Sequence, residues 1–264
     1  MTELVVGNTP PGIAATEPKV RAITVDDISA ALSDGLRDFR AAPAFGLLIG
    51  TLYALGGNLM FWAAASFDFL FIAYPLAAGF ALVAPFAAVG IYETSRRIAT
   101  GGDLSVTALI GAVPAHARRE LGYMALVTAF GMIAWIYAAG FVYALFFGLR
   151  PLDYTDIVTA VVTTPRGIAF LIAGNIIGAV MATVIFSVSV VAYPMLLDRD
   201  VDFVTAMITS IRAVFAAPLV MLGWGIFVGT LLGVAILPMF LGLIVVLPLL
   251  GHATWHLYRR AVEA

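Results

Sequence analysis

Two histidines four residues apart, His252 and His256, lie in the stretch Pro248 to Arg260, which reads P-L-L-G-H-A-T-W-H-L-Y-R-R. On a helix, residues at that spacing face the same way. Imidazole next to carboxylate can hold a transition metal or haem. It can equally be a pair of structural histidines satisfied by acids and backbone carbonyls. The acids come from an internal echo. Pro85 to Arg97 reads P-F-A-A-V-G-I-Y-E-T-S-R-R, so at a constant offset of 163 Glu93 falls on His256 and Tyr92 on Trp255. Aligned in the same way on Pro194, Asp198 matches His252, and Asp202 matches Glu93 and His256. The expectation is a polar cluster of Glu93, Asp198, His252 and His256 at one membrane face. Tyr92, Trp255 and Tyr258, with Arg96, Arg97, Arg259 and Arg260, are read as interfacial anchors beside it.

The structural reading of that cluster is preferred, so no metal or cofactor is expected. Histidines at this spacing are common on helices, and there is no H-E-x-x-H context. The chain has no cysteine, which excludes disulfides, iron–sulfur ligation and thiol catalysis. No serine, histidine and acid arrangement suggests a nucleophile, and the glycines form neither a phosphate-binding nor a dinucleotide-binding pattern. The expectation is a protein that is not an enzyme.

The elements that carry these groups are helices in a membrane. Of the 264 residues 62% are apolar and 11% charged, and the mean hydropathy is +1.03. An average soluble domain is about 45–50% apolar. Crossing the hydrocarbon takes about 20 apolar residues. Six runs meet or approach that: Ala44–Ala64, Phe69–Tyr92, Tyr123–Phe147, Ile168–Tyr193, Leu219–Leu237 and Met239–Leu257. The last two are divided by Pro238 and read as two spans joined by a tight turn. The polar first 25 residues read as a disordered tail, without the basic start and apolar centre of a signal peptide. Val25 to Arg40 reads as an amphipathic helix with Ile28, Leu32, Leu36 and Phe39 on one face. Everything from residue 26 to 264 is one integral membrane domain, an all-α polytopic bundle with two or three interfacial helices.

Orientation follows from the basic residues. With the N-terminus inside, all but Arg150 and Arg166 of the 14 lysines and arginines lie on the cytoplasmic side. Both termini are therefore expected in the cytoplasm, with an outer loop near residues 149–167. A repeat accompanies this topology. Residues 31–43 match 206–218 at an offset of 175, Arg37 falling on Arg212 and Ala41-Ala42-Pro43 on Ala216-Ala217-Pro218. Leu104–Arg119 is expected as the corresponding interfacial helix before the third span. The domain then parses into units 26–103, 104–200 and 201–260, each an interfacial helix and a two-span hairpin. Units with two spans insert with the same polarity, unlike the inverted repeats of many transporters.

Packing within the bilayer is assigned to small residues, which let helix backbones approach. Gly225, Gly229 and Gly233 form one face of the fifth span, and Gly174 and Gly178 one of the fourth. Contact within the bundle is the preferred use of these faces, ahead of a homodimer. No acid or base sits mid-span, which counts against an ion-coupled pump. Asn58 and Asn175 are expected to hydrogen-bond across helices.

Four strings carry a resemblance: Y-P-L-A-A-G-F-A-L-V-A-P-F (74–86), Y-E-T-S-R-R (92–97), P-M-L-L-D-R-D-V (194–201) and L-P-L-L-G-H-A-T-W-H-L-Y-R-R (247–260). They resemble an uncharacterised family of predicted integral membrane proteins from proteobacteria, whose members are often labelled cytochrome c oxidase subunit I or similar to it. The resemblance implies a multi-span inner-membrane protein of unknown function. It does not bring the oxidase activity, because the catalytic oxidase subunit holds its haems and copper on more histidines than the three present here. The function expected is a non-enzymatic accessory or assembly protein contacting lipid and other membrane proteins, with a link to respiratory complexes suggested by that label. The alternative is a channel or carrier for a small neutral or lipid-like solute. No nucleic-acid partner is expected.

Overall fold

The first helix, α1 (Val25–Ala41), starts where its sequence says it should. Thr24 accepts from the Asp27 backbone N–H, and the Asp27 carboxylate accepts from the Thr24 N–H at 2.8 Å, a reciprocal cap. Asp26 and Asp27 occupy the first turn and Arg40 the last, matching the helix dipole. The helix breaks at Ala42 because Pro43 follows, and the residue before a proline is pushed out of the α region. The computed structural model describes residues 18–66, 88–110, 113, 115–149 and 154–263. Within them come α2 (Pro43–Ser66), α3 (Val89–Thr100), α4 (Val106–Ile110), α5 (Ala115–Phe147) and α6 (Tyr154–Thr163). Then follow α7 (Pro165–Ser189), α8 (Ala192–Asp198), α9 (Phe203–Ala216), α10 (Pro218–Ile236) and α11 (Leu243–Ala261). Among the described residues every element is a helix, apart from one antiparallel bridge between Val20 and Val262.

Among the described residues four stretches are long and apolar enough to cross a membrane: Pro43–Ala63, His116–Phe147, Pro165–Asp198 and Pro218–Ile236. They coincide with the expected first, third, fourth and fifth runs. The expected second span, Phe69–Tyr92, lies up to residue 87 outside the described residues, and its end opens α3. The expected sixth becomes α11, displaced toward the C-terminus and ending in Arg259 and Arg260.

Two sequence expectations are corrected, and a third gains a helix. The interfacial helix Leu104–Arg119 is two helices instead, α4 and the start of α5. The segment expected as an outer loop, near residues 149–167, contains α6, which packs back on α7 where Gly167 approaches the backbone of Ala160 and Val161. The end of the expected N-terminal tail is ordered: the Arg21 N–H donates to the Ala261 carbonyl at 2.9 Å, and the Glu263 N–H to Lys19 at 3.0 Å.

The apolar run across Pro238 does divide in two. Met239 and Phe240 adopt positive φ, 53° and 63°, between α10 and α11. Left-handed backbone is strained for side chains of this size. The turn is held from α2, where Asn58 Nδ2 donates to the Met239 carbonyl at 2.6 Å and Gly57 lies against the Phe240 ring.

Helix α11 is the centre of the molecule. It packs against α1, α2, α3, α8 and α10, and its buried residues lie on every side of it. Close approach depends on small partners. A Cβ at Gly35 would lie 2.6 Å from the Ala253 nitrogen, and one at Gly50 the same distance from the Ile244 carbonyl oxygen. Gly46 sits against Pro248, the proline inside α11, which has no N–H to give to the carbonyl a turn earlier.

Candidate functional site

The buried polar groups gather on two sides of α11. On the α1 side the hub is Asp38, which the sequence reading passed over. His256 Nε2 lies 2.7 Å from Asp38 Oδ2. Ser95 Oγ, from α3, donates to the same oxygen at 2.8 Å and lies 2.7 Å from His252 Nδ1. Asp38, Ser95 and His252 are all buried. Next to them, Arg260 and Arg37 both pair with Asp34. The groups form one hydrogen-bonded chain, His252–Ser95–Asp38–His256, tying together three helices.

Local structure explains the placement. Ala31, Gly35 and Asp38 are the buried stripe of α1, spaced by four and three residues. The two small residues bring α1 against Ala253, and Asp38 follows on the same face, level with His252 and His256. Burial opposes the charge on Asp38. Hydrogen bonds from His256 and Ser95, with the nearby charge of both histidines, outweigh it and hold the carboxyl below its ordinary pKa.

On the other side Asp198 Oδ2 accepts from the Tyr258 hydroxyl at 2.8 Å and from Arg259 Nη1 at 2.7 Å. Arg199 donates to Tyr258 at 3.1 Å and reaches the carbonyls of Val262 and Glu263. Glu93 is buried and takes both members of its arginine pair, Arg96 and Arg97, each with a closest contact of 2.7 Å. Arg96 is held protonated by its hydrogen bonds to Glu93, and the charge of Asp198 adds to the effect.

The structure therefore distributes the four expected residues. His252 and His256 share the Asp38 chain, whereas Glu93 and Asp198 bond to arginines and to Tyr258. Tyr92, Trp255 and Tyr258 are buried inside the bundle, not laid at its surface as anchors, because α11 is enclosed by other helices and α3, which carries Tyr92, packs against it. Among the glycines, Gly225 meets the Phe186 ring and Gly178 the Trp135 ring. A Cβ at Gly174, Gly229 or Gly233 would meet nothing within 4 Å among the described residues. Asn58 reaches across to Met239, and Asn175 Nδ2 donates to Leu171 within its own helix. Among the described residues no group of three or more histidines and acids could hold a metal ion.

One comparison bears on the membrane setting. Residues 73–198 match the model of a family described as "Predicted integral membrane protein (DUF2189)". This chain is an integral membrane protein. The match contains Glu93, Ser95 and Asp198, while Asp38, His252 and His256 lie outside it. No curated protein and no solved structure matches the chain.

Proposed function

We propose that this is a non-enzymatic membrane protein that holds other membrane components, an accessory or assembly role. The observation that carries the reading is the glycine face of α10. Gly229 and Gly233 are open among the described residues, while Gly225, one turn earlier, is packed against Phe186. A stripe that begins inside the bundle and continues out of it suits a second membrane helix, since close backbone approach is what drives association in lipid. Asn58, which could have lined a solute path, is bonded to the α10–α11 turn instead.

The finer topology belongs to the same proposal: six spans in an inner membrane, both termini cytoplasmic, and three units of parallel polarity. The asymmetry of the arginines supports the orientation. The first-to-third repeat is supported by the two breaks before Pro43 and Pro218. Ala42 has φ −138° and ψ 64°, and Ala217 has φ −145° and ψ 66°. An association with respiratory complexes is supported only by the label carried by similar sequences.

Purification in mild detergent tests the role. The wild type is expected to bring down a defined membrane protein that is lost when Gly229 and Gly233 are both changed to Leu, with thermal stability retained. The same partner bound to both forms, or stoichiometric solute uptake by reconstituted wild type, would count against it.

A further inference from the structure

Asp38 is buried, and the arginines beside it are taken, because Arg37 and Arg260 both pair with Asp34. Its own partners are Ser95 Oγ at 2.8 Å and His256 Nε2 at 2.7 Å. An ionised carboxylate only accepts, so His256 Nε2 carries a proton whether the ring is neutral or charged. The atom that gains and loses a proton is therefore Nδ1. It makes no hydrogen bond among the described residues and is not one of their buried unsatisfied atoms, and the side chain is 16% exposed, so water reaches it. His252 is different. It is wholly buried, its Nε2 has no partner, and a charge there would go uncompensated. A proton taken up by the histidine pair goes to His256.

We propose that His256 is a pH-operated latch for α1: with Nδ1 protonated the helix docks tightly on α11, and with Nδ1 bare the docking weakens. As pH falls, one N–H bond forms at Nδ1 with a proton from water, and no other proton in the cluster moves. The ring becomes a cation facing a carboxylate that has no other cation among the described residues. As pH rises, Nε2–H still donates to Asp38, but the bond is now neutral at its donor and α1 keeps a buried anion. Charge-assisted hydrogen bonds are about twice as strong as neutral ones. The latch therefore holds on the acid side of the histidine titration and lets go as pH rises through it. Histidine is the side chain that changes charge near neutral pH. Asp38, held below the ordinary carboxylate range, stays ionised there.

The other charged groups around His256 have their own partners. On α1, Asp34 bonds to Arg37 and to Arg260 of α11. On α3, Glu93 is engaged by Arg96 and Arg97, and on α8 Asp198 by Tyr258 and Arg259 of α11. Helices α2 and α10 contain no charged residue. Arg21, whose Nε donates to the Arg260 carbonyl, pairs with Asp27. The fold also gives the latch something to move. Asp38 lies one turn before the break at Ala42 that separates α1 from α2. The far end of α1 is tied down by the Val20–Val262 bridge and the Arg21 N–H bond to Ala261. Release frees the Asp38 end first. On the orientation proposed above that end is cytoplasmic, so the latch reads cytoplasmic pH.

Amide hydrogen exchange of the full chain in detergent, corrected for the intrinsic effect of pH on exchange, tests this. Most of a short helix's stability comes from packing its apolar face, so the amides of Val25–Ala41 exchange when α1 lifts off α11. From about pH 6 to about pH 9, a range that brackets histidine titration, protection of α1 is expected to fall relative to α10. A fall of about fivefold corresponds to exchanging a charged donor for a neutral one. Its midpoint should coincide with loss of the His256 Nδ1 proton in nitrogen-15 NMR. His256→Gln, which keeps an N–H for Asp38 but no charge, is expected to show the low alkaline protection at every pH. His116→Gln, at an exposed histidine on α5, should leave the fall intact. Should His256→Gln fail to fold, the wild-type profile and its NMR midpoint decide. Wild-type protection that ignores pH, a fall that persists in His256→Gln or vanishes in His116→Gln, or a midpoint apart from that of His256 would overturn the proposal. In detergent none of these outcomes depends on the orientation.

Discussion

Asp38 Oδ2 lies 2.7 Å from His256 Nε2, although 218 residues separate the two in the chain. That bond, with the one from Ser95 to the same oxygen, docks the first helix on the last. Removing the carboxylate strands a buried hydroxyl and an imidazole. Breaking one side of a buried pair costs about 3–5 kcal/mol, and less where the partner is partly exposed, as His256 is. Asp38→Ala is therefore expected to lower the unfolding midpoint in detergent clearly more than Asp38→Asn, which keeps an accepting oxygen. Thermal or denaturant unfolding followed by circular dichroism measures the difference.

The same contact sets an acid limit. Asp38 has a lower pKa in the folded state than when unfolded. Its contribution is fully present above the ordinary carboxylate value of about 3.9 and is lost as pH falls through the depressed folded value. Stability measured from pH 7 downward should fall below about pH 4, and Asp38→Asn should flatten that fall. An unchanged acid limb in the variant would remove Asp38 as its source.

The spans were legible because a membrane helix must be a long apolar run, and four of the six expected runs are long apolar helices at nearly the expected residues. The four-residue spacing that puts His252 and His256 on one helix face was legible too, whereas the enclosure of that helix by its neighbours was not. Asp38 was not. Its acidic side chain lies on the polar face of an amphipathic helix, where acids are ordinarily solvated, and nothing local says that α11 will cover that face. The available signal was Ala31 and Gly35 four apart, with Asp38 three residues on, a small-residue stripe that invites a close helix. The aromatics misled for a related reason. Tyr and Trp next to arginines fit an interfacial belt, and only tertiary packing buries Tyr92, Trp255 and Tyr258.

Close approach of α1 to α11 makes Gly35 intolerant of bulk. An added Cβ would meet the backbone of Ala253 at 2.6 and 2.8 Å, and backbone cannot move aside as a flexible side chain can. Gly35→Val should destabilise by about 1–3 kcal/mol, the range for overpacking. Gly229→Ala, at an open position, should be neutral or slightly stabilising because alanine is the better helix former. Equal losses at both sites in a melting experiment would contradict the docking of α1.

The turn after α10 holds two bulky residues in left-handed backbone, at about 1–2 kcal/mol each. Asn58 secures that turn through the Met239 carbonyl. Asn58→Leu is expected to cost about 1 kcal/mol, in line with hydrogen bonds between membrane helices. Met239→Gly should relieve strain and raise the melting temperature in both the wild-type and Asn58→Leu backgrounds. No rise in either would show that the turn is not strained.

The docking of α1 on α11 through Asp38 is the claim on which the rest depends, and a double-mutant cycle tests it most directly. Asp38→Ala, His256→Ala and the double variant are unfolded under identical detergent conditions. Residues in one hydrogen-bonded network couple by about 0.5–3 kcal/mol, whereas independent sites add within about 0.3–0.5 kcal/mol. A coupling above about 1 kcal/mol is expected, on the scale of a hydrogen bond to a charged group. Losses that simply add would mean that Asp38 and His256 do not hold the two helices together.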